Sequence, residues 1–548
     1  MYFGTLIICV VLVNVQSQGI QETRIVNIDQ GPVRGYKNPG EGFYSFYNIP
    51  FATVRERFKA PSPPPTWTTP FDAVDRGIIC PQGPVSYVDL TNKTMQEDCL
   101  VINVYVPETN KTNLPVLVDV HGGAFHAGFG ATYSYNSFAT SNNVIIVTYN
   151  YRIGILGFIC MGTENIPGNA GMKDVVAGLR WVQRNIASFG GNPNDVTLTG
   201  CSAGGSAIDL LPLSNITRGL FNQVIIDSGS NLATYGVQSN PIEVAKQHAE
   251  LYNFTDFHNF DAVERFFLTE PFDTFIKINS NCGPCVERDV GEEMFLTEAP
   301  YTILNRGDYI KYPTLYGLSD MEGLFPHEAI EVISQILESN FANFLPSDLQ
   351  FSSEEERQRV AESVKYFYFG NESIASNFLK LVDFQSDITF VTSILRTVKL
   401  NVNAGHREFY LYEYSFYEED AVIKGAPHCA QARAARDEDE TNLTEDYRRV
   451  KTFIREFWFN FMTAGNPVIN ATPVASWPTV GQNRSPHLSV GRSIELRGPL
   501  MQERAEFWDA IYERHYRVPV PPTRDSASSL APRNVAIIAI LLTIYTLL

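Results

Sequence analysis

Gly200-Cys201-Ser202-Ala203-Gly204 places a serine hydroxyl in a Gly-x-Ser-x-Gly frame. That is the pattern of a nucleophile elbow, where a turn too tight for side chains lifts the hydroxyl clear of a sheet. A serine presented this way attacks acyl carbons, and the chemistry needs donors for the oxyanion, a base, and an acid to orient the base. His121-Gly122-Gly123-Ala124-Phe125 offers a loop whose backbone N–H groups can approach a developing alkoxide unobstructed. In the chain order Ser…acid…His, the base lies well downstream of the nucleophile. Of the nine histidines, His327, His406, His428, His487 and His515 follow at a distance. Only His428 sits in a glycine-containing turn, Gly425-Ala426-Pro427-His428, beyond a strong strand signal. For the acid, Ser319-Asp320-Met321-Glu322-Gly323 holds two carboxylates, and the residues themselves leave both Asp320 and Glu322 open.

Each of these groups needs a rigid element behind it. The β-like run Asp195–Thr199 feeds the elbow, and Gly205-Ser206-Ala207-Ile208 reads as the start of a helix leaving it. Leu114–Val120 reads as a strand opening into the glycine pair, Pro313–Leu318 as a strand before the acids, and Glu408–Tyr414 as a strand before the base. Val175, Leu179, Val182 and Ile186 keep helical spacing, which predicts a helix packed on the sheet. With 548 residues, 44% of them apolar, a large core is available. The net charge of −18 argues against nucleic-acid binding, which needs a basic face. No metal is expected, since there is no His-Glu-x-x-His and no clustered Cys/His spacing, and no cofactor is expected. The run Asp437-Glu438-Asp439-Glu440 is expected to be a solvated loop.

Gly200 to Gly205, the His-Gly-Gly-Ala-Phe loop, Glu97-Asp98-Cys99-Leu100, the segment Asn185–Pro193 and Glu322-Gly323 together resemble the carboxylesterase/cholinesterase family of α/β-hydrolases. The resemblance runs from about Val26 to about Trp508. It implies an α/β-hydrolase fold, with a large mixed central sheet flanked by helices, and a serine esterase working through an acyl-enzyme on a small ester. It also implies Ser202 as nucleophile, Glu322 rather than Asp320 as acid, His428 as base, and the N–H groups of Gly123, Ala124 and Ala203 as oxyanion donors. Ser228, in Asp227-Ser228-Gly229-Ser230, matches a serine that supports the triad, and Cys80 and Cys99 match the family's first disulfide. Three positions depart from the pattern: Cys201 where Glu is usual, Ala124 for the third glycine of the oxyanion loop, and Gln431 where an acidic residue is common. Taken as a neutral thiol, Cys201 puts no negative charge beside His428. Cholinesterases hold a quaternary ammonium on a tryptophan of the first disulfide loop. None of Trp67, Trp181, Trp458, Trp477 and Trp508 lies between Cys80 and Cys99. Choline esters are therefore not the expected substrates, and the pattern is nearer to insect-type carboxylesterases acting on hormone, odorant or xenobiotic esters. The alternative is a non-catalytic adhesion or binding protein on the same fold, but such members typically lose a triad residue and this chain keeps all three.

Both ends read as processing signals. Leu6–Val13 is apolar, and Val15 and Ser17 suit a small-residue cleavage rule, giving a signal peptide over 1–17 and a hydrolase domain over 18–525. Ser526-Ala527-Ser528-Ser529, a short spacer and the uncharged run Val535–Leu548 read as a GPI-attachment signal over 526–548, with a retained hydrophobic tail as the alternative. Either way the protein is expected at the extracellular face of a membrane. Asn92, Asn110, Asn215, Asn253, Asn371, Asn442 and Asn470 begin glycosylation sequons, and Asn483 does too, with Pro486 against it. Of eight cysteines, Cys9 leaves with the signal, so an odd number remains. Cys282 and Cys285 form a C-x-x-C expected to be structural; the pairing of Cys160, Cys201, Cys282, Cys285 and Cys429 stays open, as does the oligomeric state.

Overall fold

Ile145–Tyr149, Gln223–Asp227, Thr314–Ser319 and Phe409–Tyr414 are buried at every residue, as parallel strands are when layers cover both of their faces. They belong to one sheet in a computed structural model that describes residues 22–279, 282–324, 327–437, 442–467, 474 and 476–524. The expected leader 1–17, the tail 526–548 and Asn470 lie outside the described residues. Along the sheet's main path the strands in chain order are β1 (Glu22–Ile28), β2 (Gly31–Lys37), β3 (Phe43–Pro50), β4 (Val101–Pro107), β5 (Leu114–Asp119) and β6 (Ile145–Tyr149). They continue as β7 (Gly191–Cys201), β8 (Gln223–Asp227), β9 (Thr314–Ser319), β10 (Phe409–Tyr414), β11 (His487–Val490) and β12 (Ile494–Arg497). In space the order is β1-β2-β3-β4-β6-β5-β7-β8-β9-β10-β11-β12. The run from β6 to β11 is parallel, and antiparallel pairs close both sides. The chain therefore has an α/β-hydrolase architecture, a large mixed sheet flanked by helices.

The two-residue period of the strands divides the core. Val116, Val118, Leu198, Val224 and Ile226 join one cluster, and Leu117, Ile146, Ile225, Leu315 and Tyr412 the other. Helix α1 (Ala170–Asn185) covers the first face. Val175, Leu179 and Val182, on its predicted apolar stripe, are buried, and Ile186 follows in a 3-10 turn. Helix α4 (Glu445–Ala464) covers the second face with Val450, Ile454, Phe457, Trp458 and Phe461. Its boundaries are chemical: Thr444 accepts a hydrogen bond from the Tyr447 N–H, Glu445 and Asp446 sit in the first turn, and Gly465 takes the left-handed closing conformation. Between them in the chain come α2 (Ala203–Leu210) and α3 (Ala430–Ala435).

Three disulfides join Cys80 to Cys99, Cys160 to Cys285 and Cys201 to Cys429. Two expectations are corrected here. Cys201 is half of a disulfide and not a thiol, because Cys429 is brought within 6.1 Å of it, Cα to Cα. Asp437 is not a solvated charge: Ser134 Oγ donates to it at 2.9 Å, the Ser137 N–H at 3.1 Å, and Arg455 pairs with it at 3.2 Å. Residues 438–441 of that acidic run fall outside the described residues. The C-x-x-C is divided, with Cys285 in a disulfide and Cys282 buried in the first core cluster. No helix among the described residues is long and apolar enough to cross a membrane.

Candidate active site

Five neighbouring parallel strands, β5, β7, β8, β9 and β10, deliver the candidate groups from their carboxyl ends, where open α/β sheets place their chemistry. Ser202 follows β7 directly, at φ 61° and ψ −129°. A non-glycine residue seldom adopts that conformation, and it persists where neighbours over-determine it. They do so here. The Ser202 N–H donates to the Asp227 carbonyl at 2.9 Å, and the Ser206 N–H to the Ser202 carbonyl at 2.9 Å. A methyl group on Gly204 would stand 2.1 Å from the Val120 carbonyl oxygen, so the helix leaving the elbow can press against β5 only with glycine there. Ala203 opens α2, so its N–H is among the donors a helix leaves without an internal partner.

The loop after β5 lies against this elbow. A Cβ on Gly122 would come 2.5 Å from the Cys201 carbonyl oxygen and 3.3 Å from Ser202 Cβ. Gly123, Ala124 and Phe125 all have positive φ, at 107°, 52° and 61°. The Gly123 carbonyl accepts from the N–H groups of both His126 and Ala127 at 2.9 Å, and buried Phe125 packs on Phe158 with ring centroids 4.9 Å apart. Gly122, Gly123, Ala124, Ser202 and His428 are half-buried while most of their surroundings are buried, so this cluster is reached from solvent. Burial pushes His121 down to about 4, so its ring is neutral near pH 7.

Of the two carboxylates that the residues themselves left open, Glu322 meets His428. His428 Nδ1 lies 2.5 Å from Glu322 Oε2. The other oxygen, Oε1, accepts from Ser228 Oγ at 2.5 Å and from the Ser319 N–H at 2.7 Å. With both oxygens accepting, Nδ1 carries the proton and Nε2 is left as the basic nitrogen. Phe390 stacks on the imidazole at 4.0 Å. Asp320 serves the loop instead: its Oδ1 accepts from the Ala426 N–H at 2.7 Å, while the Met321 N–H donates to the Ala426 carbonyl. Burial pushes Asp320 up to about 7 and Asp227, beneath the elbow, also to about 7.

Sequence reasoning noted Gln431 only as a departure from a pattern. In the structure it is fully buried and closes a ring around Glu322. Its Nε2 donates to Ser228 Oγ at 2.6 Å and its Oε1 accepts from Ser319 Oγ at 2.7 Å. Ser319 and Phe390 were likewise missed. The signal for the Cys201–Cys429 bridge was in the sequence: each cysteine adjoins a candidate catalytic residue, one before Ser202 and one after His428. Among the described residues, Cys201, His428 and Cys429 are also the sole grouping whose atoms cluster as metal ligands do, and the two sulfurs are already bonded to each other.

Comparison with known proteins points one way. The sequence model of the carboxylesterase family matches residues 22–508. Esterase FE4 of Myzus persicae is 29% identical over 504 residues, covering 84% of this chain and 87% of that protein. Juvenile hormone esterase of Heliothis virescens is 28% identical, over 89% of this chain and 94% of that one. The crystal structure of juvenile hormone esterase from Manduca sexta, with OTFP covalently attached, superposes with a TM-score of 0.78 at 25% identity, covering 90% of this chain and 100% of that one.

Proposed function

The chain belongs to the carboxylesterase family and is a carboxylic-ester hydrolase, and from that premise we propose that it is a cell-surface serine esterase working through an acyl-enzyme on Ser202. The observation that carries this reading is the Glu322–His428 pair, fixed at 2.5 Å beside the strained elbow. Ser202 Oγ attacks the ester carbonyl while His428 Nε2 takes its proton. The tetrahedral oxyanion is held by the N–H groups of Gly123, Ala124 and Ala203, groups already fixed before reaction, so they need no reorganisation as charge develops. Collapse of the intermediate expels the alcohol, which receives the proton from His428, and leaves the acyl group on Ser202. Water then attacks that ester with His428 again as base, and Glu322 stabilises the imidazolium in both halves. The covalent OTFP in the Manduca sexta enzyme is in keeping with a nucleophile of this kind.

Neutral esters are the proposed substrates. The Cys80–Cys99 loop carries no tryptophan for an ammonium group, and the disulfide at Cys201 brings no charge to the elbow. Oxidising conditions outside the cytosol suit the three disulfides. Asn92, Asn110, Asn215, Asn253, Asn371 and Asn442 are all exposed, which suits N-glycosylation, and Asn470 is proposed with them from its sequon alone. A GPI anchor replacing 526–548 completes the proposal.

The test is turnover of p-nitrophenyl acetate by the purified protein, with stoichiometric labelling by a fluorophosphonate. Ser202→Ala is expected to abolish labelling and lower kcat by roughly three orders of magnitude or more. Turnover by the wild type no faster than by the alanine variant would leave the adhesion or binding reading standing.

A further inference from the structure

Nucleophile and acid are carried on stiff supports: Ser202 follows the last residue of β7, and Glu322 lies three residues beyond β9. The imidazole is not. His428 sits near the end of residues 415–429, a connection without regular secondary structure in which Val422 is 99% exposed. Connections of that length are ordinarily variable in conformation, and reaction rates are sensitive to misplacement of a base by even 1 Å. Asp320 and Met321 pin Ala426, and Glu322 fixes the ring's Nδ1 edge, but these contacts tie His428 to β9. They do not tie it to the strand that bears the nucleophile.

We infer that the Cys201–Cys429 disulfide is a positioning element for catalysis, a covalent clamp that holds the base-bearing loop to the nucleophile-bearing strand. It joins the residue before Ser202 to the residue after His428, across 228 positions of sequence. The bridged Cα atoms are 6.1 Å apart, and each catalytic Cα is one peptide step, about 3.8 Å, from a bridged one. A ring nitrogen of His428 lies within 4.8 Å of both sulfurs. Cys429 adopts φ 62°, a left-handed conformation that starts α3 and turns the chain back at the base. The bond therefore limits directly how far the imidazole can drift from the hydroxyl, whereas the Glu322 contact reaches the elbow only indirectly, through Ser228 and the Asp227 carbonyl. The inference rests on the assignment of Ser202 and His428 made above.

The decisive variant is the double substitution Cys201→Ser with Cys429→Ser, close in size to the native pair, with neither sulfur left behind. A clamp predicts kcat for p-nitrophenyl acetate lowered roughly ten- to hundredfold, with KM within about threefold, because orientation and not binding is lost. Fluorophosphonate labelling of Ser202 should slow in parallel but still reach one per molecule. Dithiothreitol should lower wild-type kcat by a larger factor than the variant's, since the variant keeps Cys80–Cys99 and Cys160–Cys285 and so reports any effect of opening those two. In that reaction the dithiol gives two electrons and two protons to the S–S bond, yielding two thiols and its own cyclic disulfide. A serine pair with wild-type kcat overturns the inference while leaving the esterase reading intact, whereas a wild type that neither labels nor turns over overturns that reading itself. If the serine pair does not fold, wild type is opened stepwise with dithiothreitol, assayed, then alkylated and mapped. Activity that falls with opening of Cys201–Cys429 supports the clamp, and full activity in molecules with that pair open overturns it.

Discussion

Gln431 braces Glu322 through Ser228 and Ser319, the two serines that donate to that carboxylate. Its amide both donates to Ser228 and accepts from Ser319, and these two serines, Glu322 and Gln431 itself are all buried. Gln431→Ala leaves the buried Ser319 hydroxyl without its acceptor, a loss of about 1–3 kcal/mol, and removes the donor that holds Ser228 Oγ toward the carboxylate. Stability should fall in thermal melts, and kcat should drop roughly tenfold or more with KM little changed. Gln431→Glu is more diagnostic. A glutamate there can donate to Ser228 only when protonated, and when ionised it faces Glu322 and Asp227 with like charge. The ratio of variant to wild-type kcat should rise as pH is lowered from 8 to 6; a ratio flat with pH would show that the amide is not the donor that matters.

At the scale of elements, the turn after β9 and the turn before α3 are bound together through Asp320. Its carboxyl, ordinarily near 3.8, is pushed by burial up to about 7 in the fold. The folded protein thus keeps a proton that the unfolded chain has already released, so this contribution to stability is full below about pH 4 and is lost as pH rises toward 7. Asp320→Asn keeps an acceptor for the Ala426 N–H and removes the titration. Its Tm should fall less than the wild type's between pH 5 and 8, and parallel curves would refute the assignment. The elements themselves were largely legible. Val175, Leu179 and Val182 announce α1 because burial on one face imposes a 3.6-residue period, and the largely apolar segments Pro313–Leu318 and Glu408–Tyr414 announce β9 and β10; β8, with only Val224–Ile226 apolar between Gln223 and Asp227, was not read as a strand. β7 extends further than its predicted Asp195–Thr199, since Gly191 pairs with Leu114 before the register shifts ahead of Val196. The elbow glycines were legible because a Cβ at Gly200 or Gly204 would fall within 2.6 Å or 2.1 Å of backbone atoms, which leaves room for no other residue. Gln431 was not: its partners stand 112 and 203 positions away, and a side chain chosen by distant partners leaves no local period or turn signature. The Asp437 expectation erred for the same reason, its partners Ser134 and Ser137 being some 300 residues upstream.

For the molecule as a whole, the proposed anchor is open to direct trial. Cells expressing the full chain should release active esterase on treatment with phosphatidylinositol-specific phospholipase C. Activity that stays wholly with the membrane would favour a retained hydrophobic tail. Proteins tethered to a surface meet one another at high local density, and there the rims of the sheet matter. At one end β1 shows Glu22, Thr23, Ile25 and Asn27 to solvent; at the other β12 is four residues long, with Glu495 and Arg497 exposed and paired with each other at 2.6 Å. A strand that is short, or that carries charges along its outer edge, is a poor template for another chain's backbone. On the β12 side, the broad inner strands, apolar enough to aggregate if bare, are thereby capped by a poor template. If the anchor holds, molecules crowded on a membrane find little at the β12 rim from which to extend one another's sheets.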